Sequence, residues 1–160
     1  MEHLWAPWRM SYVSSGDAPP GCVFCAAFAA GDDRRTLIVR RGALAFLILN
    51  AYPYASGHLM AAIVRHGAGL AEATSAEIAE VMQLVQSAVR ALRSVYRVDG
   101  VNVGVNEGRV AGAGVPDHLH VHVVPRWAGD TSFMTAIGQT KVLPETLATT
   151  YDRLAAALSS

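Results

Sequence analysis

The chain has 160 residues, 52% of them hydrophobic, and its 13 lysines and arginines balance its 13 aspartates and glutamates. That length suits one domain with a substantial core, and the balanced charge argues against an extended nucleic-acid surface. No apolar run approaches the ~20 residues that span a bilayer. The N-terminus lacks the charged and apolar regions of a signal peptide, so a cytoplasmic protein is expected.

Residues 1–21 read as an arm. Trp5 and Trp8 are followed by Ser14-Ser15-Gly16-Asp17-Ala18-Pro19-Pro20-Gly21, which is turn and linker chemistry. The two tryptophans should pack on the domain or on a second subunit, and His3 belongs to the same arm. Cys22 to Ala30 suits a short helix ended by Gly31. Thr36 to Arg41 and Ala43 to Asn50 read as two strands of a hairpin around Gly42. Ala51 to Gly57 is a loop, and Gly57 to Val64 is a further strand closed by Arg65-His66-Gly67. The clearest helix is Ser75 to Tyr96, opened by Thr74 and Glu77 as a capping box. Ile78, Val81, Met82, Val85, Val89, Leu92 and Tyr96 form one stripe along it. Val101 to Val105 alternates as a strand. Asn106 to Val115 is a glycine-rich loop. A last helix should begin near Pro144 and turn Leu147, Tyr151, Leu154 and Leu158 inward. The fold class is therefore α+β, a mainly antiparallel sheet with one long central helix and a C-terminal helix.

The stretch from Pro116 to Arg126 carries the chemistry. A strand has a side-chain period of two, so His118, His120 and His122 share one face, ~6.6 Å apart at successive steps. Leu119, Val121 and Val123 then face the core. Neutral imidazole is a competent nucleophile near pH 7, provided its other nitrogen has an acceptor that fixes the tautomer. Flanking histidines would stabilise charge on phosphoryl oxygens, and the small residues upstream let backbone amides approach an anion. Alternate histidines on a strand also suit catalytic zinc with an open position. Three structural histidines with satisfied hydrogen bonds are the plain alternative. The only cysteines, Cys22 and Cys25, form a CxxC. In a cytosolic chain this suggests a metal or redox role, with two buried thiols as the plain alternative.

His118-Leu119-His120-Val121-His122-Val123-Val124 resembles the signature of the histidine triad (HIT) family, three histidines alternating with hydrophobic residues. The resemblance continues in Phe46 to Asn50, Pro53, Gly57-His58, His66, Asn106 and Gly112, and covers roughly Gly21 to Trp127. It implies a domain over residues 22–138, between the arm at 1–21 and a C-terminal helix in 139–160, assembled as a homodimer. It also implies nucleotidyl transfer or hydrolysis through a covalent intermediate. By the resemblance His120 is the nucleophile on the α-phosphorus, His118 orients it or supports the site, and His122 contacts phosphate oxygens. Asn50, where many members have Asp, meets the ribose hydroxyls, and Asn106 lies by the phosphates. His58 is read as a hydrogen-bonding neighbour of the triad or as a core residue.

Leu4 to Met10, Val124 to Trp127 and Gly129 to Met134 look like the bacterial branch that contains diadenosine tetraphosphate phosphorylases. That branch implies an adenine dinucleotide and inorganic phosphate as partners, with no membrane partner and no organic cofactor. Phosphoramidate or adenylyl hydrolysis, or a nucleotide-binding regulator without catalysis, are the alternatives. The family usually carries Gln after the glycine matched by Gly112. Here Ala113 stands in that place, and five residues, Ala113 to Asp117, precede His118. Backbone amides of Ala113 and Gly114 must then replace the missing side chain, or the reaction is slower. Asp117 is read as making a turn-side hydrogen bond, with a catalytic role as the alternative. Some family members hold structural zinc with two cysteines of a CxxC, a later histidine and the first triad histidine. The matching positions are Cys22, Cys25, His66 and His118.

Overall fold

The computed structural model describes residues 21–67, 69–130 and 143–159. The arm at 1–20, with Trp5 and Trp8, lies outside the described residues, as do 131–142. Five strands form one antiparallel sheet: β1 (Ile38–Arg41), β2 (Ala45–Leu49), β3 (Leu59–Ile63), β4 (Gly100–Gly104) and β5 (His120–Arg126). Their spatial order is β1-β2-β3-β5-β4. The helices are α1 (Val23–Ala29), the single turn α2 (Asp33–Thr36), the long α3 (Ser75–Tyr96) and α4 (Leu147–Leu158). None of the described helices is long and apolar enough to cross a membrane.

β2 and β3 are buried along their whole length, because both faces of the sheet centre are covered. On one face Leu47, Leu49, Leu59, Ala61, Ile63, Leu119, Val121 and Val123 pack against α3 and α4. On the other, Phe46, Ile48, Met60 and Ala62 pack against Phe24 of α1. β5 pairs with β3 so that His122 lies opposite Met60 and His120 opposite Ala62. Directly opposed residues share a face, so both imidazoles are committed to the α1 side. The alternation expected for this stretch thus holds from His120 onward, while His118 sits just before the strand.

The capping box of Thr74 and Glu77 opens α3 as expected. Glu77 also accepts hydrogen bonds from Arg65, at 2.9 Å to Nε and 3.0 Å to Nη2. The Arg65 guanidinium, with the Thr74 backbone N–H, holds the Glu77 carboxyl down at about 2. This pair anchors the segment after β3, which carries His66, to the start of α3. Gly57 precedes β3 with φ +86, and a Cβ there would lie 2.9 Å from Leu92. Only glycine permits both the conformation and the approach.

Several boundaries differ from the expectation. Thr36 closes α2 instead of opening β1, because Asp32 caps a turn there by accepting from the Arg35 N–H. The core stripe of α3 is Val81, Leu84, Val85, Ala88, Ala91 and Leu92, whereas Met82 is 44% exposed. Small alanines face the sheet, so the helix lies close to it and the bulkier Met82 falls off the seam. α4 begins after Pro144, with Thr146 as its N-cap. Leu154 and Leu158 face the core as expected, joined by the buried Thr150.

Candidate active site and metal centre

Each triad histidine has a ring orientation that its hydrogen bonds fix. His120 Nδ1 lies 2.8 Å from the His118 carbonyl oxygen. A carbonyl only accepts, so Nδ1 carries the proton and Nε2 keeps its lone pair. His120 is 4% exposed, and burial pushes its pKa below the ordinary histidine value despite that hydrogen bond. The ring is therefore neutral at pH 7, as a nucleophile requires. The orienting group is the backbone carbonyl of His118, not its side chain.

His122 is set by a relay. The Tyr54 N–H donates to His58 Nδ1 at 3.2 Å, so the His58 proton is on Nε2. That nitrogen lies 3.0 Å from His122 Nδ1 and donates to it. The proton of His122 is then on Nε2, a donor suited to an anion. His58, 1% exposed, is both a core residue and the partner of the triad. Gly57 and the loop from Tyr54 deliver it there.

His118 points elsewhere. Its Nε2 donates to the Ile63 carbonyl at 2.7 Å, which leaves Nδ1 as an acceptor 3.2 Å from Cys22 Sγ and 3.6 Å from Cys25 Sγ. Cys25 Sγ lies 3.5 Å from His66 Nδ1. The four ligand atoms of Cys22, Cys25, His66 and His118 all fall within 4.8 Å of one another. Zn–S and Zn–N bonds of about 2.3 and 2.0 Å place tetrahedral donors about 3.3–3.8 Å apart, so the set fits a small cation with little movement. The backbone acceptor on His118 Nε2 fixes the tautomer that a metal-ligating Nδ1 needs. The Leu119 N–H donates to Gly67 O at 2.7 Å, which holds the His66 segment beside the triad. Burial and the neighbouring Cys22 thiol push the Cys25 thiol above its usual value, so metal entry here must release protons.

A cavity of about 280 Å³ opens beside His120 and His122. Val23, Phe24, Leu37, Ile48 and Met60 give it apolar walls, and Asn50 and Tyr54 supply polar groups. An apolar slot ending in imidazoles suits a flat heterocycle carrying an anionic group. Asn50 Oδ1 accepts from the Tyr52 N–H at 2.9 Å, which orients the side-chain amide. Gly112, with φ +89, and Gly114 line the mouth. Ala113 does not: it is buried, and its N–H goes to Gly108 O at 3.3 Å. Of the two amides expected to replace the missing Gln, only the one at Gly114 lies at the cavity. Asn106 is not among the lining residues either, and Asp117 is exposed in a turn.

Two contributors carried no signal as motifs. Phe24 lies between the cysteines, with its ring centroid 5.1 Å from that of His118 and 4.8 Å from that of His120. Tyr54 acts through its backbone N–H and its ring, whose centroid lies 4.7 Å from that of His58 and 6.2 Å from that of His122, so only its place four residues before His58 could have pointed to it.

The HIT domain family matches residues 33–129, which include the triad, Asn50, His58 and His66. The chain belongs to the HIT family. An AP-4-A phosphorylase of Mycobacterium tuberculosis is 41% identical over 163 residues, covering 97% of this chain and 83% of that protein. An asymmetrical bis(5'-nucleosyl)-tetraphosphatase of Schizosaccharomyces pombe is 29% identical over 92 residues, 58% of this chain and 50% of that one. Among solved structures, a zinc-bound histidine triad family protein from Mycobacterium smegmatis is 29% identical with a TM-score of 0.69. That match covers 87% of this chain and 94% of the other.

Proposed function

We propose that this HIT-family enzyme cleaves dinucleoside polyphosphates by nucleotidyl transfer to His120, with phosphate as the second acceptor. The observation that carries the reading is the His120 ring, buried and neutral, with Nδ1–H on a backbone carbonyl and Nε2 left for attack beside an apolar cavity. The 41% identity with an AP-4-A phosphorylase supports the substrate.

In this scheme adenosine enters the slot between Phe24 and Ile48, and the Asn50 amide meets the ribose. His120 Nε2 attacks the α-phosphorus of diadenosine tetraphosphate. A P–N bond forms, the P–O bond to the remaining polyphosphate breaks, and ATP departs. His122 Nε2–H donates to an oxygen of the transferring group. Inorganic phosphate then attacks the same phosphorus, ADP leaves, and His120 is restored. Gly112 and Gly114 border the path of the phosphates, with Asn106 further out. Cys22, Cys25, His66 and His118 would hold a structural zinc, supported by the zinc-bound relative. With four protein ligands it supplies rigidity and no open position for a substrate. On this reading residues 22–138 are the catalytic domain of a homodimer, between an arm at 1–21 and a C-terminal segment at 139–160 that contains the helix Leu147–Leu158.

Product analysis on diadenosine tetraphosphate tests this directly. ADP, and ATP beyond one equivalent of enzyme, appearing only when phosphate is present establish phosphorolysis. AMP and ATP at the same rate with or without phosphate would make the enzyme a hydrolase.

A further inference from the structure

The metal set and the nucleotide cavity share a wall. Cys22 and Cys25 begin α1, and the residues between and after them, Val23, Phe24 and Ala27, line the cavity. α1 has seven residues, no side-chain N-cap and no acidic group in its first turn, so it has little stability of its own. Phe24, 2% exposed, is its one buried residue. It packs on the rings of His118 and His120 at once. His118 in turn carries the metal-facing Nδ1 and the carbonyl that orients His120.

Resting on the reading above, we propose that metal occupancy at Cys22, Cys25, His66 and His118 sets the affinity of the adenine-nucleotide cavity, with α1 as the coupling element and Phe24 as its positioning residue. A cation joining both cysteines to His66 and His118 clamps α1 onto the sheet and completes the slot. Without it, α1 is held by the packing of Phe24 on the sheet and the triad rings and by Phe28 against Phe46 and Arg41, and a nucleotide must tighten the end of the wall that carries the cysteines as it binds. The apolar core on the opposite face does not include α1, so the sheet stays folded in either state. Coupling of this kind is reciprocal: the nucleotide must raise metal affinity by the factor by which the metal raises nucleotide affinity.

The test measures AMP binding by calorimetry with the protein zinc-loaded and chelator-stripped, and zinc affinity by chelator competition with and without saturating AMP. The expected result is about a tenfold gain in both, equal within error. In the Phe24→Leu variant zinc still binds and the shared factor falls toward one. Zinc and AMP both binding with equal AMP affinity in the two states would overturn the inference and leave the proposed function standing. Loss of the β-sheet circular-dichroism signal on stripping would also overturn it, since the metal would then hold the fold and not the wall. Failure of the loaded protein to bind AMP would remove the functional reading as well.

Discussion

The two faces of the sheet use burial for different ends. On the α3 side, Leu47, Leu59, Ala61, Val121 and Val123 are buried among aliphatic neighbours, and burial there yields cohesion. On the α1 side, the same strand β5 buries His120 among Phe24 and its companions. Burial there selects the neutral ring, and the His118 carbonyl selects its tautomer. A single strand alternates between these tasks at every residue, so the faces can be perturbed separately.

Four substitutions probe the two faces separately. The largest effect belongs to the chemical face: His120→Ala should lower kcat by several orders of magnitude while circular dichroism and the urea midpoint stay near wild type. On the other face, Leu154→Ala should behave in the opposite way. Leu154 is 0% exposed, so its truncation should cost about 2–5 kcal/mol in urea unfolding, with kcat of the folded enzyme unchanged. A kcat loss comparable to that of His120→Ala would mean that the faces are not independent.

His58→Phe keeps the buried volume but removes the proton that sets His122. A drop of about 10–100-fold in kcat, with KM nearly constant, is expected. A pure KM effect would place His58 in binding alone. The smallest effect concerns Glu77, which ties the segment carrying His66 to α3. Its folded value of about 2 lies below the ordinary value of 4.5, so its ionised form stabilises the fold. That contribution is complete above pH 4.5 and is lost as pH falls toward 2. The difference in urea midpoint between wild type and Glu77→Gln should therefore shrink between pH 5 and pH 2.5. A constant difference would show that the charge of Glu77 is not what matters.

Much of this was legible in sequence because periodicity and chemistry coincided. The alternation of His120, His122 and their apolar neighbours specifies a strand with one chemical face, and the Thr74–Glu77 box marks the start of α3. The family resemblance, not spacing, joined Cys22 and Cys25 to His66 and His118 as a ligand set, and the fold does bring the four together. What escaped were features written in the backbone or in packing. The His118 carbonyl, the Tyr54 N–H and the Ile63 carbonyl choose the three tautomers, and no side-chain pattern reports them. Ala113 was expected at the cavity, but a tight turn spends its N–H on Gly108. The place of Met82 depended on how closely α3 approaches the sheet, which alanines at 88 and 91 decide only in the packed structure.

In the proposed reaction His120 becomes covalently bonded to the transferred nucleotide. Loaded enzyme mixed with diadenosine tetraphosphate in the absence of phosphate, quenched in alkaline denaturant and digested, should yield a peptide carrying one adenylyl group on His120. Adding phosphate before the quench should discharge that group as ADP. Turnover with no adduct on any histidine, at a time when ATP has already been released, would contradict the account.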